Sequence, residues 1–217
     1  MNTIRVSVLR AVPPFAQGLV RDLRVRWALE EAGLPYSEHV IGPQDQQSQD
    51  YRRLQPFGQV PAYQEGDLVL FESAAIVHHV AQRSEQLMPA DSASRARVTA
   101  WMFAAMNSIE PFVANLGLID FAYPREEWAK LRRPGALEFV QKRLQELATA
   151  LGARSHLEGD RFTAADILMT TVLRQLRHTD VVAKIPVLES YRLRCEARPA
   201  FQRALAAQMA VFARNAA

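Results

Sequence analysis

The stretch "QPFGQVPAYQEGDLVLFESAAIVHHV", residues 55–80, reads as a hairpin followed at once by a helix. Val60–Tyr63 and Leu68–Phe71 have strand character, and Gly66 lies in the turn over Gln64–Asp67 between them. The helix that follows has Ser73 at its expected N-cap position, with Glu72 just before it. Upstream, Ile4–Leu9 alternates like a strand, and Val20, Leu23 and Trp27 recur at helical spacing. Gly33 and Pro35 end that helix, since glycine suits the left-handed C′ position and proline cannot continue the helix. Tyr36–Ile41 then reads as a second strand, parallel to the first because a helix joins them.

Downstream of Asp91 the pattern is helical. Val98, Trp101, Met102, Ala105, Met106 and Ile109 form one apolar stripe, and Leu137, Val140, Leu144, Leu147 and Leu151 form another. Pro134 is expected to open the second of these helices. Thr163, three residues before Asp166, gives a capping box ahead of a third apolar run, so both are assigned as a structural cap. Leu188–Ala197 and Phe201–Phe212 read as later helices. The polar connector 83–94, which contains Pro89, is the expected linker between a βαβ–ββα domain over 1–82 and an all-helical domain over 95–217. The fold class is therefore α+β.

The 217 residues are 49% apolar and 23% charged, with a formal net charge of +3, which suits a globular protein large enough for one or two domains. Acids and bases alternate through most of the chain, which argues against a nucleic-acid surface but suits a small anion near a local arginine cluster. Cys195 is alone, which excludes an internal disulfide and a cysteine zinc site. His78 and His79 are adjacent and point apart on a helix, so no metal site is expected. No uninterrupted apolar run approaches about 18 residues, and the N-terminus has no signal-peptide core, so the expectation is a cytoplasmic protein without a membrane partner.

Three pieces together resemble the soluble glutathione S-transferase family: Gln55–Pro61, the Glu72-Ser73 pair, and "GDRFTAADI" at residues 159–167. Each is weak alone, but they occur in the family's order over nearly the whole chain. The resemblance implies a thioredoxin-like first domain that binds glutathione as cosubstrate, a helical second domain and a homodimer. It further implies a cis bond before Pro61 and a Val60 backbone that pairs with the cysteinyl backbone of glutathione like an added strand. Ser73 would meet the γ-glutamyl carboxylate at a helix N-terminus, and Glu72 the ammonium. Among Gln44, Gln46, Gln47, Arg52 and Arg53, Gln47 is the candidate for the glycine carboxylate, though the spacing does not choose among them.

The same resemblance places a Tyr, Ser or Cys just after the first strand, where it activates the thiol. Here Pro13-Pro14-Phe15-Ala16 is similar to the "CPFA" of some members with proline at the nucleophile, and 10–26 has no Ser, Thr, Tyr or Cys. Ser7 has a hydroxyl but sits within the strand. The activating group is thus unknown. Arg10, Gln17 and Arg21 are weak candidates, together with Arg24 and the backbone N–H groups at the start of the first helix. Phe103, Asn107 and Glu110, at i, i+4, i+7, are the candidate pocket for a small hydrophobic electrophile. The expected activity is transfer of the glutathione thiolate to that electrophile. The alternative is a non-catalytic glutathione-binding or protein-interaction module on the same fold.

Overall fold

The computed structural model describes residues 3–215, which form two compact units: Met1–Met88 with Ala197–Ala217, and Pro89–Glu196. The first is built on β1 (Ile4–Leu9), α1 (Asp22–Ala32), β2 (Tyr36–Ile41), the short helices α2 (Pro43–Gln47) and α3 (Gln49–Leu54), β3 (Ala62–Glu65), β4 (Leu68–Phe71) and α4 (Ser73–Ala81). Its sheet has the order β2-β1-β3-β4 among the described residues. β1 and β2 run parallel from Ile4↔Tyr36 to Leu9↔Ile41, and β3 is antiparallel to both its neighbours, with Val6↔Tyr63 and Glu65↔Leu68 in register. This is a thioredoxin-like arrangement. β3 starts at Ala62, not at Val60 as the hydrophobic pattern suggests, because Pro61 has no N–H for the ladder. Gly33 ends α1 at φ 65, the left-handed cap that its position in the sequence implies.

The second unit is helical: α5 (Ser92–Ala104), α6 (Glu110–Gly117), α7 (Glu127–Leu151), α8 (Ala164–Arg174) and α9 (Pro186–Glu196). A π turn at Ala105–Ile109 joins α5 to α6, and another covers Leu118–Ala122. The first is explained by Pro111, which lacks an N–H and whose ring would strike a carbonyl one turn back; the wider turn gives it room. Taken together, Ser92–Ala122 is long and apolar enough to cross a bilayer, which a scan for unbroken apolar runs does not register. Its Val98, Met102, Ala105, Ile109, Val113 and Leu116 are buried, and it packs against α7 and α8. Pro134 does not open α7: the helix starts at Glu127 and runs through the proline. Pro134 and Lys130 are both exposed, so water can satisfy the carbonyl left without a donor.

The first of the two units is not continuous in sequence. α10 (Pro199–Arg214), expected in a helical domain over 95–217, belongs with residues 1–88 and packs along α1. Phe201 meets Trp27 edge-on at 4.7 Å between centroids, and Arg198 and Arg203 pair with Glu31 and Glu30. Gln208 donates to Asp22 at 2.7 Å. The boundary between units, at Met88–Pro89, lies inside the expected linker 83–94.

Asp166 organises the second unit. It accepts hydrogen bonds from Leu157 N–H at 3.0 Å, Thr163 N–H at 2.8 Å, the Thr163 hydroxyl at 3.1 Å and the Tyr191 hydroxyl at 2.9 Å. Burial and the neighbouring Asp166 charge push the Tyr191 phenol well above its ordinary range, so it remains a donor. Asp166→Ala strands all of these donors in a dry core and is expected to cost at least about 3 kcal/mol in a denaturant titration. A loss of less than about 1 kcal/mol would show that the donors find other partners.

Candidate functional site

The connection that leads into β3 is held by side chains. The Gln55 carboxamide accepts from Phe57 N–H at 2.7 Å, Gln46 donates to the Gly58 carbonyl at 2.8 Å, and Arg52 donates to the Pro56 carbonyl at 3.3 Å. The Tyr51 hydroxyl donates to the Gln59 carbonyl at 2.6 Å. Beyond Pro61, Ala62 N–H reaches the Ser7 hydroxyl at 2.6 Å, and that hydroxyl lies 2.7 Å from the Tyr51 oxygen. Val60 is the exception: its N–H and C=O have no hydrogen-bond partner among the described residues, although its side chain is buried with Ile41, Tyr51 and Ala62. The Val60–Pro61 peptide is cis. An extended peptide laid alongside would find one free donor and one free acceptor on Val60.

Ser73 is the first residue of α4 and not its N-cap; that position belongs to Glu72, a non-glycine residue at φ 66. Such backbone is strained and persists only where its surroundings enforce it. The Glu72 carboxylate is exposed, and Ser73 is 4% exposed. With no side-chain cap on α4, the N–H groups of Ser73, Ala74 and Ala75 have no partner among the described residues. Arg24, itself buried, donates to the Ser73 hydroxyl at 3.1 Å. A helix start with free N–H groups, a hydroxyl and a guanidinium behind it has the chemistry to hold a carboxylate. Gln46 is committed to the Gly58 carbonyl, whereas the side chain of Gln47, at the end of α2, is exposed and makes no hydrogen bond among the described residues.

The β1–α1 junction has no hydroxyl or thiol of its own. Residues Pro14–Ala16 make one 3-10 turn, and the flanking Leu9 and Val20 pack on the cluster that holds Val60. The exposed Arg10 leans over Gly42, Gln17 is half-buried, and the exposed Arg21 is the N-cap of α1. Arg24, not Arg21, reaches Ser73. The expected backbone donors of α1 are partly spent: Leu23 and Arg24 N–H bond to the Val20 and Arg21 carbonyls at 3.0 and 3.2 Å. The N–H groups of Ala11 and Val12, between the strand and the prolines, have no partner among the described residues.

In the second unit the expected face of Phe103, Asn107 and Glu110 is split by the π turn. Phe103 is 63% exposed and Asn107 is exposed, but Glu110 is 7% exposed and receives a hydrogen bond from Gln175 at 3.2 Å. The extra residue in the turn rotates Glu110 inward, so it does not belong to an exposed pocket with the other two. No group of three or more metal-ligating side chains is found among the described residues.

Family models for the glutathione S-transferase N-terminal and C-terminal domains match residues 23–83 and 120–199. Glutathione S-transferase 3 of Zea mays is 31% identical over 205 residues, which cover 85% of this chain and 88% of the relative. The chain belongs to the glutathione S-transferase family. A glutathione transferase family member from Pseudomonas fluorescens pf-5, solved with two glutathione bound, is 27% identical with a TM-score of 0.83, over 94% of this chain and 92% of that one. A theta class glutathione S-transferase from Xanthomonas axonopodis pv. citri, solved with glutathione bound, is 28% identical with a TM-score of 0.78, over 94% and 98% of the two chains.

Two contributors to this region are absent from the sequence reading, Tyr51 and Arg24 as the partner of Ser73, while Gln46, expected there only as a candidate for the glycine carboxylate, holds the Gly58 carbonyl instead. Only Tyr51 leaves a local trace, as the sole aromatic in the polar segment 42–56. A hydroxyl-bearing ring in such a segment signals a buried ring with a bonded tip. Gly58 gives a test of the loop. At φ +65, a Cβ there would lie 2.7 Å from the Gln46 carbonyl oxygen. Gly58→Ala is expected to lower stability by roughly 1–3 kcal/mol, read from chemical denaturation. A neutral substitution would mean that the loop is free to move away from α2.

Proposed function

We propose that this chain binds glutathione on its first unit and transfers the glutathione thiolate to a small hydrophobic electrophile. The observation that carries the reading is the Val60 backbone, unpaired immediately before Pro61, which offers a matched donor and acceptor to the cysteinyl residue. Ser73, the free N–H groups of α4 and the Arg24 guanidinium are assigned to the γ-glutamyl carboxylate, and the exposed Glu72 to its ammonium. Gln47 is assigned to the glycine carboxylate. The two relatives solved with glutathione bound support this reading. Phe103 and Asn107 are proposed as electrophile contacts, and Glu110 is not.

With no hydroxyl or thiol at the junction, activation of the sulfur is assigned to the free N–H groups of Ala11 and Val12 with the positive charge of Arg10. Such donors stabilise a thiolate relative to a thiol and lower its pKa from about 8.5. The protein is further proposed to work as a cytoplasmic homodimer. Phe57 is 65% exposed, and with Phe71, Leu68 and Val69 it leaves an apolar edge on β4 that an aqueous monomer would be expected to cover.

Calorimetric titration with glutathione and its S-hexyl derivative, followed by an electrophile panel, tests the function. Both ligands are expected to bind, and no binding by either overturns the proposal; binding without turnover of any electrophile reduces it to a binding module. The thiol of bound glutathione is expected to titrate below about 8.5, followed by thiolate absorbance, so that thiolate is present near neutral pH. A value unchanged from free solution removes the activation assignment. Arg24→Met is expected to weaken glutathione about tenfold, and the loss should vanish for an analogue whose γ-glutamyl α-carboxylate is an amide. Phe57→Glu is expected to convert the dimer to monomer in sedimentation velocity; a wild type that sediments as a monomer rules out the dimer.

A further inference from the structure

We propose that Ser7 and Tyr51 act as positioning residues for glutathione, through a directional hydrogen-bond chain that fixes the Val60 backbone. This rests on the reading that Val60 receives the cysteinyl residue. The direction of the chain follows from the atoms. The Gln59 carbonyl can only accept, so the Tyr51 hydroxyl, 2.6 Å away, spends its single proton there. The 2.7 Å contact between Tyr51 and Ser7 must then use the serine proton, with the phenol oxygen accepting. Ser7, having donated, accepts from Ala62 N–H at 2.6 Å. The chain therefore runs from Ala62 N–H through Ser7 and Tyr51 to the Gln59 carbonyl.

Its two ends lie on either side of Val60-Pro61. Pro61 has no N–H, and Val60 has no partner for either backbone group among the described residues, so the dipeptide makes no backbone hydrogen bond that would hold it in place. The chain fastens both flanks to the middle of β1, the most buried strand of the sheet. Ser7 and Tyr51 are 2% and 3% exposed, so water does not substitute for either hydroxyl. Burial also pushes the Tyr51 phenol above its ordinary range, which keeps the proton that the chain needs. A ring alone would fill the same core space beside Ile41, Val60 and Ala62; the hydroxyl adds direction. Holding Val60 in place before ligand arrives removes an ordering cost from binding.

The test uses the full chain and calorimetry with glutathione. Tyr51→Phe keeps the ring and Ser7→Ala keeps the strand, and each is expected to raise the dissociation constant roughly three- to tenfold. The double variant should be no weaker than the weaker single variant, because each breaks the same chain. Hydrogen exchange adds a local readout: the Val60 amide, protected in the wild-type complex, should exchange faster in complexes of either variant. Asp166→Asn, which loosens the second unit and lies outside the binding site, controls for lost stability and should leave the dissociation constant unchanged in the folded protein. If both single variants bind within twofold of wild type, or if Asp166→Asn weakens binding as much as they do, the positioning role is overturned. If the wild type itself takes up no glutathione, the assignment of Val60 fails and this inference fails with it. Unaffected variants of a binding wild type overturn the inference alone.

Discussion

Pro61 takes a donor out of the sheet at the point where β3 would otherwise begin, and much of the first unit compensates for that loss. Side chains from residues 46–55 take over hydrogen bonds in the approach to β3, at the Pro56, Gly58 and Gln59 carbonyls and the Phe57 N–H. Leaving a buried peptide group unpaired costs about 1–3 kcal/mol. Phe57 and Gln59, which also leave a backbone group unpaired among the described residues, are exposed to water, whereas Val60 is buried. Val60 keeps its N–H and C=O unpaired beside a packed cluster, and the surrounding bonds make this tolerable by leaving the loop little freedom to rearrange. The compensation and the surface proposed for glutathione are therefore the same construction.

Buried charge is used in two ways in the first unit. Asp22 and Arg26 pair at 2.7 Å, and Arg26 also pairs with Glu38 at 2.7 Å, which joins α1 to β2, while Gln208 brings in α10. One nitrogen of Arg26 has no hydrogen-bond partner among the described residues, and the guanidinium lies over the Tyr36 ring at 5.8 Å from its centroid, where the π face meets the charge. These residues tie elements together. Arg24 is buried two residues earlier, and its contact is the hydroxyl at the start of α4. Two arginines of one helix thus face opposite tasks, because two residues along an α-helix turn the side chain by about 200°.

What the sequence made legible were features with a local cause. Gly33 and Pro35 stop α1, Gly66 turns the hairpin, and Thr163 with Asp166 opens α8, each through chemistry within a few residues. The order of elements in the first unit follows from such signals, whereas the roles expected of Val60, Pro61 and Ser73 came from the family resemblance. The pairs Ser7 with Tyr51, Arg24 with Ser73 and Ser7 with Ala62 span separations of 44, 49 and 55 residues, and no local pattern encodes them. α10 escaped for a related reason. Its apolar stripe, from Phe201 to Phe212, says which face is buried and nothing about which unit receives it. At Pro134 and Ser73 a sound local rule gave way to the surroundings: water reaches the carbonyl one turn back from Pro134, and strained Glu72 takes the cap position.

The placement of α10 has a consequence for how the molecule is made. The first unit is assembled from two pieces of chain separated by residues 89–196, so its last helix leaves the ribosome after the whole second unit has emerged. Until then, the face of α1 that carries Trp27 has no Phe201 against it, and Asp22 has no Gln208. The segment that supplies Val60 and Ser73 is among the early parts synthesised, yet the unit that holds it closes last. Domains commonly fold as they emerge, first unit first. Here the order is reversed: the helical unit can complete itself during translation, while the thioredoxin-like unit must wait for the chain to return.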